Sequence, residues 1–164
     1  PKIEPENLSL TVREALFTQQ VAHGDVDFEI LLPEEDLMGR FDRRLISQAL
    51  INVAKNAAEA IKSVPQEARG RGLVQVALWS EADHAFLDVS DNGCGFPAEN
   101  RQKLLEPYMT TREQGTGLGL AIVRKIMEDH GGRVELMDGP ERDDGRRGAL
   151  VRLMLPLRME RTER

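Results

Sequence analysis

The sequence predicts an α+β fold: a two-layer α/β sandwich in which one mixed, mostly antiparallel sheet carries helices on one face. Three observations predict it. Apolar residues recur at helical spacing in three stretches and alternate with strand spacing in five. The order of these stretches is helix, strand, helix, hairpin, loop, helix, hairpin, so hairpins dominate over βαβ units. The chain has 164 residues, 40% hydrophobic and 30% charged, which suits one globular domain with a sizeable core.

The elements follow in order. Pro1-Lys2-Ile3-Glu4-Pro5 lacks an initiator Met and reads as a linker cut from a larger parent. Asn7 or Ser9 can cap a first helix through about Ala22, with Val12, Ala15, Leu16 and Gln19 at helical spacing. Residues 1–24 are thus expected to be linker and first helix, 25–157 the body of the same domain, and 158–164 a charged tail. His23-Gly24-Asp25 ends the helix, and Val26 to Leu31 alternates apolar and acidic as a half-buried strand. Pro33 to Gly39 reads as a polar connection.

Asp42 caps a long helix to about Ser63, with Ile46, Leu50, Val53, Ala57 and Ile61 forming one apolar stripe. Asn52, Asn56 and Glu59 flank that stripe about one turn apart. Asparagine is a mediocre helix former, so two at i, i+4 invite two readings. They are solvated flank residues, or their amide oxygens face a hydrated Mg²⁺, a hard cation that takes oxygen ligands. After a Gly-Arg loop, Val74 to Trp79 and Ala85 to Val89 alternate as a hairpin that delivers Asp91 to a strand end. A further helix is expected from about Gly117 to His130, stopped by Gly131-Gly132. Val134-Leu136 and Ala149-Leu155 supply the last strands.

The net charge of -6 argues against non-specific nucleic-acid binding. A single cysteine, Cys94, allows no internal disulfide and fits a reducing, cytoplasmic setting. No apolar run approaches a membrane span and no secretory signal pattern is present, so no direct membrane contact by this chain is expected.

The chemistry concentrates between Asp91 and Leu120. Asp91-Asn92-Gly93-Cys94-Gly95 and Gly115-Thr116-Gly117-Leu118-Gly119-Leu120 bracket a loop, and the second cluster runs into an apolar-periodic helix. Glycines let backbone approach a ligand, and a glycine-rich helix start presents N–H groups to phosphate. A nucleotide site is the first hypothesis. Gly93-Cys94-Gly95-Phe96-Pro97-Ala98 formally matches a dinucleotide-binding fingerprint, but Pro97 and Glu106-Pro107 interrupt the helix it requires. No Gly-Lys-Ser/Thr, His-Arg-Asp or Asp-Phe-Gly run occurs.

Asn52-x-x-x-Asn56, Asp91-x-Gly93-x-Gly95, Glu106-Pro107-Tyr108 and the Gly115–Leu120 run resemble, in order and spacing, the boxes of sensor histidine kinase catalytic domains. These belong to the ATP-binding superfamily of gyrase, a heat-shock chaperone, histidine kinases and MutL. Pro107 to Glu113 and Lys55 to Ala60 look most like the nitrogen-regulation (NtrY-like) sensor kinases. The resemblance covers about Asp25 to Leu155 and implies a Bergerat-type ATP-binding fold.

It also implies roles. Asn56 would hold Mg²⁺, and Asn52 would sit near the phosphates or the metal's water shell. Asp91 would accept the adenine amino group, with Gly93 and Gly95 under the base; alone, Asp91 also reads as a turn aspartate. Pro97 to Gly115 would be a mobile lid. Thr110, Thr111, Gly115, Thr116, Gly117, Leu118, Gly119 and Leu120 would complete the nucleotide site. Arg112 would stabilise charge on the transferring phosphoryl group, or is a solvated loop arginine. Leu104, Leu105, Tyr108 and Met109 pack the lid root into the core or dock a neighbouring domain. The superfamily's hydrolases carry a general-base glutamate one turn before the metal asparagine. Asn52 occupies that position, and an amide takes no proton, so transfer is favoured over fast hydrolysis.

None of His23, His84 and His130 lies in the family's phosphoacceptor pattern. The implied activity is that of a protein-histidine kinase's catalytic domain, with ATP and Mg²⁺ as cofactors. The implied partners are an upstream histidine-containing dimerisation domain of the same protein and a response regulator. A non-catalytic ATP-sensing module and a gyrase-type ATPase are the alternatives.

Overall fold

The structure is a computed structural model that describes residues 1–107 and 119–157. Its first element is a short strand, β1 (Glu4–Asn7), leading straight into α1 (Leu8–Ala22). Asn7 caps that helix, its Oδ1 accepting the Leu10 N–H at 2.9 Å. β2 (Val26–Leu31) follows, then β3 (Met38–Phe41), which pairs antiparallel with β1. This pair corrects the reading of residues 1–5 as linker throughout and of residues 33–39 as connection throughout. Strands of four residues are too short for alternation to stand out.

α2 (Arg43–Lys62) is capped by Asp42, whose Oδ1 accepts the Leu45 N–H at 3.0 Å. The predicted stripe Ile46, Leu50, Val53, Ala57 and Ile61 is buried throughout. A single turn, α3 (Gln66–Arg69), lies in the Gly-Arg loop, where Arg69 Nε donates to the carbonyls of Ile61 and Val64 and caps the end of α2. β4 (Gly72–Glu81) and β5 (His84–Asp91) form the expected hairpin. A 3-10 turn spans Arg101–Leu105. α4 (Gly119–Asp129), β6 (Arg133–Glu141) and β7 (Arg147–Pro156) complete the described chain.

The main sheet has the order β2-β4-β5-β7-β6; only β2 and β4 pair in parallel. Val74, Val76, Leu78, Leu87 and Val89 point to the helices and are buried. Their alternate neighbours Trp79 and Phe86 stack on the opposite face, with the Arg152 guanidinium 5.4 Å from the Trp79 centroid. The core therefore lies between one face of the sheet and α1, α2 and α4, as the sandwich reading requires.

α4 ends in a two-bond cap: Gly131 N–H donates to Glu128 and Gly132 N–H to Met127, with Gly131 at φ +76°. His130 is buried there. Its Nδ1 lies 2.8 Å from the Ile126 carbonyl and its Nε2 accepts the Asp42 N–H at 3.0 Å. A carbonyl and an N–H on opposite sides fix the neutral Nδ1–H tautomer. The end of α4 is thereby tied to the start of α2.

Candidate nucleotide site

α2 places the site. Asn52, Asn56 and Ala60 succeed each other at i, i+4 and i+8, so they line one edge of the helix. Steps of four residues advance about 6 Å along the axis. At the Ala60 step lies Gly93: a Cβ there would stand 2.5 Å from the Ala60 carbonyl carbon and 2.7 Å from the Ile61 nitrogen. At the Asn56 step lies Gly119, the first described residue of α4. A Cβ on it would meet the Asn56 amide at 3.3 and 3.4 Å. Gly93 and Gly119 thus meet the same helix about one turn apart. Both asparagines are half-buried, whereas Lys55 is exposed.

Asp91 is buried at the end of β5. Its Oδ1 accepts the Gly93 N–H at 2.8 Å and lies 3.4 Å from the Ala149 N–H, which fixes the plane of the carboxylate. A Cβ at Gly148 would overlap the Asp91 carbonyl, so β7 also presses on this residue. Gly95 has φ +79°, and its would-be Cβ faces the Arg147 carbonyl at 3.2 Å; a side chain there is disfavoured twice over.

Asn92, given no role by the sequence reading, is the strap of the loop. It is buried; its Oδ1 accepts the Leu73 N–H at 2.8 Å, and its Nδ2 donates to the Arg71 carbonyl at 2.9 Å. Its backbone N–H bonds to Leu73 at 3.3 Å. The available signal was an amide between an aspartate and a glycine in a turn, which matches a local side-chain bond equally well.

The first part of the expected lid makes contacts with the rest of the domain. Leu105 is buried, Leu104 packs on the core, and Arg101 Nε donates to the Pro97 carbonyl at 2.7 Å. Arg101 also pairs with Asp138 at 2.6 Å. Residues 101–105 thus pair with β6 through Arg101 and pack on the core through Leu104 and Leu105. Tyr108, Met109, Thr110, Thr111, Arg112, Gly115, Thr116, Gly117 and Leu118 lie outside the described residues. Leu120 packs against the core from α4.

Among the described residues no group of three or more His, Cys, Asp or Glu could hold a metal ion. A hard cation at Asn56 would depend on amide oxygen, water and phosphate, which is the donor chemistry Mg²⁺ accepts beside a nucleotide. Cys94 is exposed and free.

A family model described as histidine kinase-, DNA gyrase B-, and HSP90-like ATPase matches residues 41–159. The chain belongs to this family. Within it, the chain is 50% identical over 155 residues to the nitrogen regulation protein NtrY of Azorhizobium caulinodans, covering 94% of this chain and 20% of that protein. The mycobacterial sensor histidine kinase MprB superposes with a TM-score of 0.80 at 27% identity, covering 95% of this chain and 98% of that structure. The catalytic domain of histidine kinase ThkA gives 0.76 at 31% identity, covering 96% and 97%. ThkA is also known in complex with the response regulator protein TrrA; that chain matches at 27% identity and a TM-score of 0.69, covering 94% and 42%. Sequence and fold are those of the ATP-binding catalytic domains of sensor histidine kinases. The chain spans 20% of NtrY and 23% of AtoS, the first two curated relatives it matches.

Proposed function

We propose that this domain binds Mg-ATP along α2 and presents the γ-phosphate to a histidine on another domain of the same protein. The observation that carries the reading is the shared helix edge: Gly93 rests on Ala60 while Gly119 meets Asn56. A nucleotide laid along that edge has its base at Asp91 and its phosphates at the start of α4. Helix starts favour anions through their N–H groups and dipole.

In this reading Asp91 accepts the adenine amino group, its carboxylate plane set by Gly93 and Ala149. Asn56 holds Mg²⁺, which when bound neutralises phosphate charge; Asn52, one turn earlier, orients the phosphates or the metal's water. Arg112, Thr110, Thr111, Gly115, Thr116, Gly117, Leu118, Gly119 and Leu120 complete the phosphate end. Phosphoryl transfer is mostly positioning and charge stabilisation, so this inventory needs no general base from α2. An amide at Asn52 removes the proton acceptor that water attack requires.

The acceptor belongs to a histidine-containing dimerisation domain upstream, and a response regulator then takes the phosphoryl group. Of this chain's histidines, His130 is buried with both ring nitrogens engaged, which fits that division. The domain works in the cytoplasm; no described helix is long and apolar enough to cross a membrane. Incubating it with labelled ATP, Mg²⁺ and the purified histidine-bearing segment of its parent tests transfer. Label on that segment's histidine is the expected result. Nucleotide binding without label points to an ATP-sensing module, and rapid phosphate release without the segment points to an ATPase.

A further inference from the structure

The β6–β7 hairpin reaches back over the sheet to the glycine loop. Its tip is ordered by its own bonds: Arg142 N–H donates to Arg146 at 2.9 Å, Gly145 N–H to Arg142 at 2.9 Å, and Arg146 N–H to Asp144 Oδ1 at 2.9 Å. The geometry of this tip aims one side chain at the site. Arg146 Nη2 donates to the Gly93 carbonyl at 2.8 Å, and its Nη1 lies 3.5 Å from the Asn92 carbonyl. The Asp144 carboxylate, 4.0 Å away, steadies the same guanidinium.

We propose that Arg146 is a positioning residue for base recognition, clamping the Asn92–Gly93 backbone so that Asp91 meets adenine in one orientation. The inference rests on the nucleotide reading of Asp91 and adds to it a residue from a distant hairpin. The physical chain is short. The Gly93 N–H fixes Asp91 Oδ1, and the Gly93 carbonyl is fixed by Arg146. Asn92 ties the loop to β4 from one side, and Arg146 ties it to the hairpin from the other. The 2.8 Å contact to Gly93 is a charge-assisted bond to a carbonyl, the stronger kind; the 3.5 Å contact to Asn92 is longer and weaker. A planar guanidinium can span two adjacent carbonyls, which a lysine ammonium cannot do in the same fixed geometry.

The consequence is selectivity. A carboxylate accepts the adenine 6-amino group and repels the guanine 6-oxygen. It discriminates only while its position is fixed, because a loop free to shift lets the carboxylate turn away from guanine. Releasing the clamp should therefore weaken ATP more than GTP.

The test compares ATP and GTP affinities by calorimetry for wild type, Arg146→Ala and Arg146→Lys, with thermal unfolding of each. Arg133→Ala, which removes an equal charge from an exposed pair with Glu135, is the control. The expected result is a loss of about tenfold in ATP affinity in Arg146→Ala, the size of one charge-assisted hydrogen bond. The ATP-to-GTP ratio should fall with it, partial recovery should follow in Arg146→Lys, and Arg133→Ala should bind like wild type. An unchanged ratio in folded Arg146→Ala overturns the proposal, whether ATP affinity holds or both nucleotides weaken equally. Equal weakening would make Arg146 a general attraction for phosphate. Wild type that binds no ATP would instead sink the nucleotide reading itself.

Discussion

Gly93 occupies a space that admits hydrogen and little else. Its missing Cβ lets the loop after Asp91 rest on the backbone of Ala60 and Ile61, which cannot yield as a side-chain tip could. Gly93→Ala should lift that loop from α2 and abolish measurable ATP binding while the far side of the sheet stays folded. Circular dichroism with ATP titration checks this; an alanine variant that binds ATP normally would contradict the placement of the base. Gly119→Ala is a gentler case, because its Cβ meets a side-chain amide at 3.3 Å. It should displace Asn56 and weaken Mg-dependent binding several-fold without abolishing Mg-independent binding, read by titration with and without Mg²⁺. At this scale the spacing of Asn52 and Asn56 put them on one helix edge, and Gly93 and Gly95 marked close backbone approach, as the structure has them. It was silent on Asn92 and Arg146, whose roles come from partners 19 and 53 positions away. No local pattern encodes such distances.

At the scale of the element, α2 is the part on which the site is measured out, so its ends matter to function. Asp42 caps its start and gathers bonds from three directions: the Leu45 N–H, the Lys2 N–H at 2.7 Å, and its own N–H to His130. Asp42→Ala should cost about 1 kcal/mol from the lost cap, measurable by urea unfolding. Burial pushes the Asp42 carboxyl up, but the N–H donors of Lys2 and Leu45 and the charge of Arg44 outweigh it, leaving the group below its ordinary 3.8. A carboxylate depressed on folding adds stability above its unfolded pKa and loses it as pH falls through the folded one. Relative to Asp42→Asn, which keeps the cap, wild type should be favoured near neutrality, with the advantage fading below pH 3.8. An advantage that grows on acidification would contradict the assignment. Long periodic elements such as α2 were legible to within a residue, because burial of the stripe selects one face. β1, β3 and the 3-10 turn were not, because four or five residues carry too little periodicity to separate a strand from a connection.

Across the whole molecule, the sheet and the three long helices were legible because each buries one face against the other. The order of strands was not, since alternation says which side faces the core and nothing about which neighbour it pairs with. That order is what brings the β6–β7 hairpin to the glycine loop. The fold also constrains the reaction. On the proposed reading, in which Asn52 stands where a hydrolase would carry its base, steady-state phosphate release should stay slow under saturating Mg-ATP, even though binding is intact. A coupled phosphate assay checks this, and rapid turnover would reverse the choice between transfer and hydrolysis.

The proposed function requires one edge of α2 to hold both ends of a nucleotide. Calorimetric titration of this chain with ATP and Mg²⁺, beside Asn56→Ala and Asp91→Asn, tests it most directly. Wild type should bind saturably, Asp91→Asn should lose binding, and Asn56→Ala should bind without responding to Mg²⁺. Saturable binding that neither substitution alters would place the nucleotide elsewhere and contradict the proposed function.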